Sequence, residues 1–141
     1  MLALDRDECL RLLAAHHFGR LIAVSNGRPL IRPVNYAFDP VSQSVVFRTD
    51  AGTKFRALLG ATQAAFEVDG FDERRGTGWS VIIHGVVAEV HGPGDIARLE
   101  QLPIRRCAPG PMQHWMRIRA WTVSGRRLVR PRGPVPAQYL G

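Results

Sequence analysis

The pattern of apolar and polar positions changes character several times along the chain, and each change marks an element. Leu4 to Leu13 opens as a helix: Asp5 is placed as N-cap with Glu8 three residues on, and Leu4 and Cys9 can close a hydrophobic staple across it. A short helix is therefore predicted from Asp5 to Ala15. Gly19 to Val24 then reads as a strand, Ser25-Asn-Gly-Arg-Pro29 carries an Asn-Gly turn signal, and Leu30 to Phe38 resumes an extended pattern, which together make a hairpin. Ser44 to Arg48 reads as a third strand that runs into the polar loop Thr49 to Thr53, and Lys54 to Leu59 as a short helix. Ala64 to Val68 is a further strand, and Asp69 to Gly78 a charged connection expected to be exposed and mobile. Trp79 to Val90 is the longest β candidate, with Gly85 placed to bend it round a corner. A further helix is expected from Asp95, as its cap, to Leu102, ended by Pro103 and followed by an irregular basic stretch to Pro111. Trp115 to Val123 is the last long strand, after which Ser124-Gly125 is read as a turn into Arg126 to Val129. About six strands joined by hairpins, with only short helices, predict a mainly β chain forming an antiparallel barrel, since closure removes exposed edges.

Composition narrows the class. A chain of 141 residues, 45% hydrophobic and 22% charged, is in the range of one globular domain, here residues 1–130 with a loose proline-rich tail over 131–141. No apolar run is long enough for a membrane span and the acidic start MLALDRDECL lacks the pattern of an export signal, so the expected location is the cytoplasm. Cys9 and Cys107 stand far apart in no metal or dithiol pattern, and two reduced thiols with no metal site are expected. The net charge of +7 raises the question of nucleic acid, but the arginines are scattered and few aromatics are interleaved with them, which disfavours that partner. Among the 19 basic residues Lys54 is the single lysine.

The most informative window is Val46 to Lys54, where a strand delivers Arg48, Thr49, Gly52, Thr53 and Lys54 to one loop and helix start. Phosphate is recognised by that mixture: a guanidinium fork, an ammonium charge, hydroxyls and helix N-terminal amides. The spacing is not that of a P-loop. A Thr-rich turn beside charges also serves as an ordinary helix cap, so the window alone leaves both readings open.

Read together and in order, Gly19-Arg-Leu21, Arg32-Pro-Val-Asn-Tyr36, Phe47-Arg-Thr49, Gly52-Thr-Lys54, Phe66-Glu-Val-Asp69, Gly78-Trp-Ser-Val81, Gly85 and Ser124-Gly-Arg126 resemble the pyridoxamine 5′-phosphate oxidase-like family, the FMN-binding split β-barrels. The resemblance runs from about residue 5 to 130. It implies a mainly β fold, a six-stranded antiparallel split β-barrel with a few short helices, that forms a homodimer with two FMN molecules in clefts between subunits. It also implies that Arg48, Thr49, Thr53 and Lys54 grip the FMN phosphate, and that Arg32, Pro33, Val34 and Asn35 lie along the isoalloxazine ring. Trp79 and Ser80 would approach the flavin from beside it, with Trp115 and Arg126 as further contacts from the C-terminal region. The deazaflavin F420 is the alternative cofactor, since its phosphate would use much the same donors.

The chain departs from the pyridoxamine phosphate oxidases proper. Their C-terminal Arg-Leu-His corresponds here to Arg127-Leu128-Val129, and their substrate-phosphate trio has no counterpart in Asp95 to Arg106. The expected function is therefore a flavin-dependent oxidoreductase acting on another small substrate, with no catalytic residue assigned. The flavin carries the hard chemistry, so a missing catalytic triad excludes nothing. A noncatalytic flavin- or deazaflavin-binding protein is the rival reading. His84 is expected to be a partly buried structural histidine, His16 and His17 surface caps, and Glu67 and Asp69 partners for arginine.

Overall fold

The computed structural model describes residues 1–50, 52–104 and 114–130. Among the described residues, ten strand segments and three helices follow one another as β1 (Leu2–Leu4), α1 (Arg6–Ala15), β2 (Phe18–Ser25), β3 (Arg28–Asn35), β4 (Ala37–Asp39), β5 (Ser44–Thr49), α2 (Thr53–Ala61), β6 (Ala64–Asp72), β7 (Thr77–Gly85), β8 (Val87–Glu89), α3 (Pro93–Leu99), β9 (His114–Arg119) and β10 (Thr122–Leu128). They form two antiparallel sheets, a six-stranded one in the order β1-β10-β7-β6-β2-β3 and a four-stranded one in the order β4-β5-β9-β8. The expected split barrel is thus present, and the split lies between the sheets.

Four connections carry the chain from one sheet to the other, one of them through α2 between β5 and β6. Leu30 to Phe38 is not one strand: after Asn35 the chain leaves β2, and Tyr36 is the pivot before β4 pairs with β5. Tyr36 is fully buried, donates its hydroxyl to the Leu13 carbonyl at 2.7 Å and meets Phe66 edge-on at 5.0 Å. Burial pushes its phenol well above the ordinary range. Gly85 bends the chain between β7 and β8, as expected, and Ala120-Trp121 turns β9 into β10. Between the sheets lies the main core, with Leu13, Leu21, Phe47, Phe66, Ile83 and Met116 among its members. A second, smaller core fills the outer face of the four-stranded sheet, where Ala37, Val46, Val90 and Trp115 are covered by Leu99 and Ile96 of α3.

Local signals explain the elements they marked. Asp5 accepts from the Glu8 amide at 2.8 Å, and α1 buries Cys9, Leu12 and Leu13 at helical spacing. Asn26 and Gly27 take φ of 51° and 74°, the pair of left-handed residues that a tight hairpin turn requires. Pro29 and Pro33 fall on β3, the terminal strand of its sheet, where a missing amide is tolerated.

Four expectations are corrected. Asp69 to Gly78 is mostly ladder, with Asp69 opposite Ser80 and Asp72 opposite Thr77, and only residues 73–76 turn. There Asp72 accepts from the Arg74 and Arg75 amides, and backbone pairing overrides the charge pattern. Ser124-Gly125 is no turn: both lie within β10, opposite Ile82 and Val81, and glycine is required at Gly125 because a Cβ would stand 2.7 Å from Cys9 Sγ and 3.1 Å from the Ser80 carbonyl oxygen. Helix α3 starts at Pro93 behind Gly92, with Asp95 in its first turn, and ends at Leu99 before Pro103 is reached. His84 points outward from β7 and is exposed. The stretch 105–113, which includes Cys107, and the tail 131–141 lie outside the described residues.

Candidate functional site

The residues singled out by sequence fall into three groups. Arg32, Pro33, Val34 and Asn35 occupy the exposed end strand β3. Register alternation turns Arg32 and Val34 toward the face of Leu21 and Gly19, and Pro33 and Asn35 to the opposite face with Phe18 and Arg20. The Arg32 guanidinium lies 4.0 Å above the ring of Phe55 on α2, so the edge strand and that helix are held together by a cation–π contact.

The second group is at the end of β5. Arg48 and Thr49, as neighbours on a strand, point to opposite faces. Arg48 faces α3: its guanidinium sits 5.2 Å over the buried Trp115 ring and lines a cavity of about 430 Å³ with Glu100, Leu102 and Ile104. Two buried donors here, Arg48 Nε and Trp115 Nε1, have no hydrogen-bond partner among the described residues. Burying such donors unpaired costs about 1–3 kcal/mol each, so an acceptor brought by a ligand would relieve a standing penalty. Thr49 faces the other way, opposite His114. Thr53 and Lys54 open α2, and its N-cap, Gly52, contributes no side-chain acceptor. The first amides of this nine-residue helix therefore face the loop without a side-chain cap, a suitable cradle for an anion.

Beside that helix start is a cluster the sequence did not disclose. Glu89 of β8 accepts from Arg56 of α2 at 2.5 Å and lies 3.1 Å from His114 Nδ1 of β9, with Arg56 Nη1 and His114 Nδ1 3.2 Å apart. Burial works against ionisation of Glu89, but the hydrogen bonds from Arg56 and His114 outweigh it and hold the carboxyl below its ordinary range. These positions are distant in sequence and are joined by the β8–β9 pairing, so no local motif announces them.

The third group belongs to the six-stranded sheet. Trp79 meets His16, which caps α1, in a tilted ring contact at 4.7 Å, and its indole lies across Gly70, where a Cβ would stand 2.6 Å from Nε1. Ser80 and Arg126 are paired in register and share a groove of about 330 Å³ with Trp79, Glu67 and Asp69. Arg20 bridges both acids, at 2.8 Å to Glu67 and 3.1 Å to Asp69. Partial burial, and then the neighbouring Asp69, push the Glu67 carboxyl up to about 7 despite Arg20. Trp115 and Arg126 lie in different sheets, so one chain does not bring them together.

Comparison with known proteins follows the same outline. A family model for pyridoxamine 5′-phosphate oxidase matches residues 5–127. An uncharacterised protein of Mycobacterium tuberculosis, Rv0080, is 38% identical over 104 residues, covering 70% of this chain and 67% of the relative. Among solved structures, the FAD binding protein of Mycobacterium smegmatis superposes with a TM-score of 0.77 at 29% identity, over 92% of this chain and 99% of that one. A FAD-binding protein of Mesorhizobium loti shares the fold at 20% identity, with a TM-score of 0.73 over 92% of this chain and 97% of its own.

Proposed function

Because this chain belongs to the pyridoxamine 5′-phosphate oxidase family, we propose that it is a flavin-binding oxidoreductase that works as a homodimer on a small substrate. The observation that carries this reading is the half-buried Arg48, stacked on Trp115 with Nε unpaired among the described residues, at the strand end that leads into the open start of α2. The residues present fit a phosphate. Arg48 would hold it from the strand end, and the start of α2, with its first amides and Thr53 and Lys54, would supply the remaining donors, while Thr49 lies on the other face of β5. Arg32 to Asn35 would support the ring system along β3. The bound flavin would supply hydride or single-electron transfer, while the protein would orient it and keep water from one face.

Two features favour the dimer. β3 ends its sheet, and Phe18, Val24 and Ile31 of the β2–β3 hairpin are 51%, 49% and 65% exposed, an apolar surface suited to a second copy. The FAD binding protein of Mycobacterium smegmatis is named for binding and not for a reaction, which favours a noncatalytic flavin carrier as the second reading. Bleaching of the bound flavin by NADPH or an organic donor separates the two, and the mass of the copurified molecule distinguishes FMN, FAD and F420.

Arg48→Met is the test. A charged hydrogen bond contributes about 1.5–3 kcal/mol, so FMN binding should weaken by about tenfold to a hundredfold. Riboflavin, which has no phosphate, should bind both proteins alike. Equal FMN affinity in parent and variant would sink the assignment.

A further inference from the structure

On the side of the four-stranded sheet near the β7–β8 bend, the alternation of β9 turns Arg117 and Arg119 away from the core residues Met116 and Ile118. Both arginines are half-buried, and neither has a carboxylate or carbonyl partner among the described residues. The Arg119 guanidinium lies 5.0 Å over the ring of Trp121, which stands 73% exposed at the β9–β10 turn. An indole with so much surface in water is a cost that a folded chain ordinarily avoids. With His84 and Gln63 these residues line a groove of about 540 Å³, a volume suited to one small ligand. Its one acid, Glu89, is already committed to Arg56 and His114, so the groove carries a net positive charge. It shares no lining residue with the Arg48–Trp115 cavity.

We infer that this groove binds a small planar aromatic anion, its ring against Trp121 and its acid group between Arg117 and Arg119. A flat ring matches the indole face, and a carboxylate or phosphate matches the guanidinium forks, which otherwise stay unpaired. Spaced two residues apart on one strand, the arginines stand about 7 Å from each other, a separation that an anionic group between them can bridge from both sides.

The test uses the full chain saturated with FMN and three probes: 1-naphthoate, 1-naphthyl phosphate and the neutral 1-naphthamide, titrated by calorimetry. At least one acid should bind at a single site while FMN stays bound, and the tighter of the two identifies the acid group preferred. Arg119→Gln and Trp121→Ala, both at the surface, should each weaken that acid by about tenfold with the far-ultraviolet circular dichroism unchanged. Arg117→Gln gives an independent variant should either fail to fold. The amide should bind at least about tenfold more weakly than the acid. The inference is overturned if neither acid binds, if the amide binds as well, if the folded variants keep the parent affinity, or if the probe displaces FMN.

Discussion

Replacing Arg98 by leucine tests how α3 is held over the four-stranded sheet, and hence how the roof of the Arg48–Trp115 cavity is kept in place. Asp39, at the end of β4, has no exposed surface; it accepts from Arg98, from Ser42 Oγ at 2.5 Å and from the Val41 amide at 3.1 Å. Burial alone would raise this carboxyl. The hydrogen bond from Arg98, followed by those from Ser42 and Val41, outweighs it and holds the group below its ordinary range. Leucine retains most of the apolar stem and removes the charge. Removing one partner of a fully buried pair costs about 3–5 kcal/mol. Here the Arg98 side chain is 33% exposed, so water already screens the pair, and Asp39 keeps its other two donors. The expected loss at pH 7 is therefore about 1.5–3 kcal/mol.

The sign of the pH dependence provides a second check. A carboxyl whose folded pKa is lowered contributes stability that is complete above its unfolded value, near 3.8, and is lost as pH falls through the folded one. In the variant the carboxyl is buried without its cation, and protonation relieves that penalty. The gap between parent and variant should be widest near pH 7 and narrow toward pH 3, read from urea midpoints at unchanged slope. A gap below about 0.5 kcal/mol at pH 7, or one of equal size at both ends, would refute the reasoning.

Two other perturbations read different parts of the barrel. Gly125→Ala places a methyl group 2.7 Å from Cys9 Sγ and 3.2 Å from Leu4 Cδ1, so α1 must shift at a cost of about 1–3 kcal/mol. Thermal unfolding should show the loss and Cys9→Ala in the same chain should recover part of it; a variant as stable as the parent would mean the contact is easily relaxed. Glu67, with its folded pKa raised to about 7 from 4.5, contributes stability that is full below 4.5 and lost as pH rises toward 7. Glu67→Gln should therefore gain on the parent between pH 5 and pH 8, and urea midpoints that keep the same difference at both values would contradict it.

The parts legible in the sequence were those specified by neighbours in the chain. Asp5 capped α1, Asn26-Gly27 turned the first hairpin, and Gly85 bent the long β segment, each by chemistry confined to a few residues. Misreadings arose where a distant element set the requirement. Gly125 is glycine because α1 brings Cys9 against β10, so the Ser-Gly pair that resembles a turn signal falls in a strand interior. The Leu30 to Phe38 segment had to divide at Tyr36, whose hydroxyl is anchored by α1. The Arg48 window was visible as a cluster of phosphate-binding residue types, yet strand alternation sends Arg48 to the α3 face and Thr49 to the other. Arg56, Glu89 and His114 were not visible at all, since only sheet register unites them.

The separation of the three candidate groups makes one last prediction about the proposed dimer. β7, which carries Trp79 and Ser80, is separated from β3 by β6 and β2, three strand spacings or about 14 Å across the sheet. A single flavin touching both groups is most simply served by Arg32 to Asn35 and Arg48 of one subunit and Trp79 and Ser80 of its partner. Mixing variants tests this. Arg48→Met and Trp79→Ala each spoil every site of their own homodimer. In a mixed dimer one site would carry both lesions and the other none. Coexpressed in equal amounts and paired at random, half of the dimers are mixed, so about one quarter of all sites should regain the parent affinity. If Arg48 and Trp79 instead served one flavin from within a single chain, every site would keep a lesion and no high-affinity fraction would appear. Flavin titration of the tagged, purified mixed dimer reads the two outcomes as half of its sites restored or none.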